Sequence, residues 1–171
     1  FGLTDVQLAW LTAVAVLNGA IWRLPAGIAA DRFGGKRVFV FMLAVTAIPA
    51  YMVSQAQSYA WLLVCAFLVG FAGNSFSVGI AWVSAWWPQN RQGFALGVFG
   101  AGNVGASLTK FIGPALIAAV PAAGFLGGFV PGGWRFVPFL YMALLIAVAI
   151  GMWLWTPHRD IKPSQGRSIA S

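Results

Sequence analysis

Apolar residues run along this chain in long blocks broken by short polar turns, with none of the apolar–polar alternation that a half-buried strand requires. Cutting at the charges, prolines and glycines predicts five helices, roughly 8–30, 38–53, 59–85, 92–120 and 136–155. Their apolar stretches approach the ~20 residues needed to cross a hydrocarbon core. The pattern alone therefore predicts an all-α membrane protein made mostly of bilayer spans.

Composition sharpens this reading. Hydrophobic residues make up 60% of the chain and charged residues 8%, against about 25% charged in an ordinary soluble domain. The lipid bilayer is thus the surrounding the chain expects. Its formal net charge is +7, but the Lys and Arg residues are scattered between apolar runs rather than gathered on one face, so no nucleic-acid partner is expected. Topology accounts for the charge instead. The segments "DRFGGKR", "WWPQNRQG" and "TPHRDIKPSQGRSIAS" hold Arg32, Lys36, Arg37, Arg91, Arg159, Lys162 and Arg167, whereas the opposite connections hold Arg135. The positive-inside rule then predicts a multi-pass protein of the cell (inner) membrane with a cytoplasmic C-terminus. Tyr59, Trp61, Trp86, Trp87, Trp134, Trp153 and Trp155 fall at span ends, where amphipathic rings favour the headgroup level.

The opening "FGLTDVQLAW" has neither Met nor a basic leader, so the chain is expected to begin inside a longer protein. Cys65 lies in an apolar run and reads as a small apolar residue, without an intrachain disulfide partner. One His, one Cys and no pair of carboxylates inside the spans supply no acid–base or metal-ligand set, so no enzyme, cofactor or metal is expected.

Arg23 and Lys110 are the charges left inside spans. Arg23 lies eight positions before Asp31, about 12 Å along a helix at 1.5 Å per residue, deeper than easy snorkelling reaches. A charge near a span centre costs roughly 2.5–3.5 kcal/mol on insertion scales and usually faces a wet cavity or a partner. Asp5, Asp31 and Asp160 all sit at or outside span ends. Arg23 therefore reads first as an anion contact and second as a structural contact to another segment. The fourth span carries small residues at Gly93, Gly97, Ala101, Gly105, Thr109 and Gly113, a stripe that predicts close approach of another helix. Asn103 within it offers N–H donors at mid-span. Lys110, seven positions on and about 10 Å away on the same face, either lines a polar cavity or snorkels outward. In the third span, "GFAGNSFSVG" sets Asn74, Ser75, Phe76 and Ser77 among glycines.

"GIAADRFGGKRV" resembles the loop motif of the major facilitator superfamily, in which it joins the second and third helices. The combination of "WRLPAGIAADRFGG", "GFAGNSFSVGIAWVSAWWP" and "GVFGAGNVGAS" resembles the nitrate/nitrite porter family within it. The resemblance covers nearly the whole chain and implies helices two to six of a twelve-helix bundle. On that reading, residues 1–156 form a partial N-terminal transmembrane half and 157–171 a cytoplasmic linker. Helix one and a C-terminal half with the family's other binding arginine would be the partners. The resemblance also implies that Arg23 and Asn103 bind nitrate or nitrite, that Phe76 flanks the anion, and that Asp31, Arg32, Gly34, Lys36 and Arg37 form a gating loop. Transport would proceed by rocking of two halves, coupled either to protons, with Lys110 as a candidate carrier, or to exchange of nitrate for nitrite. Chemistry agrees, because nitrate is a planar monoanion and a guanidinium is a planar donor fork. Oxalate, formate or cyanate transport, or a non-transporting membrane scaffold, are the competing readings.

Overall fold

The computed structural model describes residues 2–126 and 129–157, so the expectations placed on Arg159, Lys162, Arg167 and the linker after Pro157 lie outside the described residues. Its helices are α1 (Asp5–Phe33), α2 (Gly35–Ser54), α3 (Tyr59–Val69), α4 (Asn74–Trp86), α5 (Gln89–Ala101), α6 (Val104–Ala119) and α7 (Phe136–Trp155), with 3-10 turns at Gly70–Gly73 and Gly133–Arg135. The five predicted spans are all present as helix, but two of them are interrupted. The third is α3 and α4 joined through the 3-10 turn Gly70–Gly73. The fourth, predicted as continuous over 92–120, is split at Gly102 and Asn103 into α5 and α6, of 13 and 16 residues. At 1.5 Å per residue neither piece alone crosses a core of about 30 Å. Four stretches among the described residues are long and apolar enough to do so: Asp5–Phe33, Gly35–Ser54, Tyr59–Trp86 and Gly133–Trp155.

Local chemistry sets the ends. Thr4 and Gln7 form a reciprocal capping box at the start of α1, with Thr4 N–H donating to Gln7 Oε1 at 3.0 Å and Gln7 N–H to Thr4 Oγ1 at 3.3 Å. α1 ends at Gly34, whose φ of +94° reverses the chain into α2 and favours glycine. Gly35 serves a different need: a Cβ there would overlap the indole of Trp82 on α4.

The bundle is built inside out relative to a soluble domain. Small and medium apolar residues, Ala26, Ala30, Val38, Met42 and Val78, form its core, alongside buried Asn18, Lys36, Thr46, Ser54 and Asn74, while Phe94, Phe111 and Trp155 are exposed. That is the distribution expected where lipid tails replace water and small or polar contacts hold helices together. α2 packs on α7, and α1 on α2, α3 and α4. α5 packs on α4, and α6 on α7, where the hydroxyls of Thr109 and Tyr141 meet.

Connections expected to share a membrane side do share an end of the bundle. At one end the Tyr59 hydroxyl donates to the Gln7 carbonyl at 3.2 Å and Arg135 Nη2 to the Ala56 carbonyl at 3.0 Å. At the other, Trp82, Trp86 and Trp87 line a recess with Thr156 and Pro157.

Candidate anion site

α1 delivers Arg23 in its second half, two residues before Pro25, which lies inside the helix and leaves the Ile21 carbonyl without its usual donor. Arg23 is exposed. Among the described residues its guanidinium has no hydrogen bond, ion pair or ring contact. A charge held at that depth without a partner has its donors available for a ligand.

The third span places Phe76 through a device that was not read from the sequence. The 3-10 turn Gly70–Gly73 disturbs the helical ladder, and side chains take up carbonyls around it. Buried Asn18 of α1 donates through Nδ2 to the Phe67 carbonyl. Asn74 Nδ2 donates to the Phe71 carbonyl at 3.1 Å and Ser75 Oγ to the Ala72 carbonyl at 2.7 Å. The crossing of α1 over this turn is tight: a Cβ on Gly70 would overlap the Ala15 carbonyl oxygen, and one on Gly19 would lie 3.1 Å from the Gly70 carbonyl oxygen. Asn18 thus joins the helix of Arg23 to the span of Phe76. The signal lies in "AVLNGAIW", where Asn18, like Asn103, is an amide within an apolar span.

Asn103 sits at the break between α5 and α6. The ladder there tightens to i→i+3 bonds, with the N–H groups of Gly102, Asn103, Gly105 and Ala106 donating to the carbonyls of Phe99, Gly100, Gly102 and Asn103 at 3.0–3.1 Å. Its side chain is exposed and has no hydrogen-bond partner among the described residues. α5 is directed there by Gln92, whose Nε2 donates to the Ser84 and Trp87 carbonyls at 2.9 and 3.1 Å and so ties the start of α5 to the end of α4. This hairpin brings Phe76 of α4 against Phe99 of α5, with ring centroids 5.5 Å apart and planes 28° from parallel.

Phe76 is therefore joined to the helix leading to Asn103, whereas Arg23 makes no direct contact with either. Lys110 is exposed and without a partner among the described residues. The glycine stripe differs from expectation: a Cβ on Gly93, Gly97, Gly105 or Gly113 would meet nothing within 4 Å. Close backbone approach occurs between α1 and the third span instead. In the loop motif Asp31, Arg32 and Arg37 are exposed, with Arg32 over the Phe33 ring at 5.5 Å. Lys36 of the same motif is buried; its ammonium lies over the Trp153 ring at 5.2 Å and donates to the Thr156 carbonyl at 2.6 Å. A cation capping the C-terminal carbonyls of α7 is stabilised by the helix dipole.

Long apolar helices, four of them able to cross a bilayer, and small or polar residues in the helix contacts define a polytopic α-helical membrane protein. The chain belongs to the Major Facilitator Superfamily, whose family model matches residues 1–169. It is 69% identical over 167 residues to the "Probable nitrate/nitrite antiporter NarK1" of Thermus thermophilus, a match covering 98% of this chain and 38% of that protein. It is 29% identical over 160 residues to the "Probable nitrate transporter NarT" of Staphylococcus carnosus (strain TM300), covering 94% of this chain and 38% of the relative. With NarT of Staphylococcus aureus (strain JH9) the identity is 30% over 162 residues, covering 94% and 39%. The chain thus spans about two fifths of the length of the curated relatives it matches.

Proposed function

We propose that this chain forms helices two to six of a nitrate/nitrite transporter, with residues 1–156 in its N-terminal half and 157–171 in the linker to the second half. The observation that carries the reading is Arg23, a guanidinium deep in α1 with no partner among the described residues. In that site Asn103, at the α5–α6 break, would supply a neutral donor and Phe76 an aromatic wall. Nitrate and nitrite suit such a site because both are small planar anions that a guanidinium fork grips through two oxygens. The relatives named for nitrate or nitrite support the choice of substrate, and the antiporter among them favours exchange of nitrate for nitrite, which needs no titrating group. Transport is then rocking of the two halves about a central site.

The test is flux into proteoliposomes carrying the full-length transporter, with nitrate, nitrite, formate and oxalate competing. Uptake of nitrate driven by internal nitrite supports the reading; preference for formate or oxalate, or no flux of any anion, overturns it. Asn103→Ala should weaken nitrate binding about three- to tenfold, the worth of one neutral hydrogen bond, and equally at every pH, because the amide does not titrate. A pH-dependent loss would remove Asn103 from the role of neutral donor.

The charge bias supports a cytoplasmic loop motif. A reporter inserted in the turn at Gly34 should be cytoplasmic and one in the 55–58 loop external; the reverse would invert the orientation of the chain.

A further inference from the structure

The buried ammonium of Lys36 is a charge that the proposed anion site leaves unused. We infer that Lys36 is a latch between the loop motif and the C-terminal end of α7, fixing the two so that the loop and the root of the proposed linker move as one piece. Arg32 and Arg37 are then the charges of the motif left open to other partners. The part played in transport rests on the proposed function; the latch itself does not.

A lysine enclosed in an apolar bundle is costly unless it is paired. Lys36 is 4% exposed, and two features of α7 receive it. Its Nζ lies 5.2 Å from the centre of the Trp153 ring and donates to the Thr156 carbonyl at 2.6 Å. Thr156 is the C-cap of α7, so the cation also meets the negative end of the helix dipole. An aromatic ring and a terminal carbonyl of α7 thus engage a single side chain of α2. Arg32 and Arg37 of the same motif are exposed instead. Arg32 lies over the ring of its own neighbour Phe33, and Arg37 has no hydrogen bond or ion pair among the described residues.

The residues beside Lys36 hold the base of the latch still. The missing Cβ of Gly35 admits the Trp82 indole, whose ring centroid lies 6.2 Å from that of Phe39. Trp82 in turn borders the recess that contains Thr156 and Pro157. The start of α2 therefore meets α4 and the end of α7 at two successive residues. The far end of the α2–α7 pair is fastened independently, by Arg135 before α7 donating to the Ala56 carbonyl beyond α2 at 3.0 Å. With that second tie in place, removing the Lys36 ammonium frees one end of α7 and leaves the helix docked. The Lys36 contact transmits position, because a displaced α7 terminus must either carry Lys36 with it or leave a buried charge without its acceptor.

The experiment uses the full-length transporter in lipid nanodiscs, with backbone amide exchange read by mass spectrometry. Lys36→Met keeps the length of the apolar stem and removes the donor. Exchange over residues 150–157 should then quicken about tenfold, the worth of one hydrogen bond to a charged group, while 136–142 at the Arg135 end stays as in the wild type. Lys36→Arg keeps a cation with N–H donors and should restore slow exchange. Arg37→Gln removes an exposed charge of the same motif and should leave 150–157 unchanged. Spin labels on Phe33→Cys and Trp155→Cys, both exposed positions, read the coupling. Their dipolar distance should be the same with nitrate, with nitrite and with neither, and its distribution should broaden in Lys36→Met. Wild-type exchange over 150–157 in Lys36→Met, or a label distance that changes with the anion, overturns the latch. If Lys36→Met fails to fold, the label distance in the otherwise wild-type protein decides. Absence of flux in proteoliposomes, with the exchange results as expected, overturns the proposed function and leaves the latch standing.

Discussion

Arg23→Lys in the full-length transporter should lower nitrate affinity at least about tenfold while leaving insertion and folding intact. Both side chains are cations of similar length, so charge and snorkelling reach are kept. What disappears is the planar fork. A guanidinium gives nitrate two parallel N–H donors in the plane of the anion, whereas an ammonium is a point charge that prefers its own hydration. Hydrogen bonds to charged groups are worth roughly 1.5–3 kcal/mol each, which sets the expected loss at about ten- to a hundredfold in Kd. Folding should tolerate the change because Arg23 holds no other element in place: it has no hydrogen bond or ion pair among the described residues. Isothermal titration of the purified transporter with nitrate, beside size-exclusion elution as the measure of folding, checks both halves. Wild-type affinity in the lysine variant would return Arg23 to a structural role.

The membrane class and four of the five spans were legible because the bilayer imposes a length and a polarity that a sequence shows directly. The boundaries of the fifth helix and the start of the third, capped by Ser58, agree with the reading, and the first, second and fourth begin three residues earlier than expected, the first of them capped by Thr4. The breaks were not legible. "GFAG" and "AGN" inside apolar runs are compatible with continuous helix, and what accompanies the 3-10 turn at "GFAG" is tertiary: the Asn18 amide reaching the Phe67 carbonyl and the Ala15 carbonyl pressing on Gly70. The burial of Lys36 was not legible for a related reason: only the arrival of α7, 120 positions along the chain, supplies the carbonyl and ring that enclose it. Arg23 and Asn103 stood out because a polar group inside a span is costly wherever the chain folds. Phe99 did not, since nothing marks one phenylalanine among many until its neighbour is known.

Gly70→Ala should be the most damaging glycine-to-alanine change in the third span. A Cβ at Gly70 overlaps the Ala15 carbonyl oxygen, its carbonyl carbon and its Cα, all backbone atoms. Neither side chain can rotate away, so α1 and the third span must separate. Overpacking of a tight contact typically costs about 1–3 kcal/mol, and here separation also stretches the Asn18 bond to the Phe67 carbonyl, leaving a buried amide that costs about 1–3 kcal/mol when unsatisfied. Gly79→Ala meets an overlap too, but with the far end of the Phe99 ring, which is a side chain and gives way. The two substitutions add the same methyl to enclosed glycines in one span and differ only in what opposes it. Thermal unfolding in detergent should therefore show a large loss for Gly70→Ala that no second substitution at Ala15 relieves, because the clash is with its backbone. For Gly79→Ala it should show a smaller loss that trimming Phe99 to Leu recovers. Equal stability of Gly70→Ala and the wild type would mean that the crossing of α1 over Gly70 is looser than the overlap with Ala15 requires, and the link from Asn18 to the placement of Phe76 would fall with it.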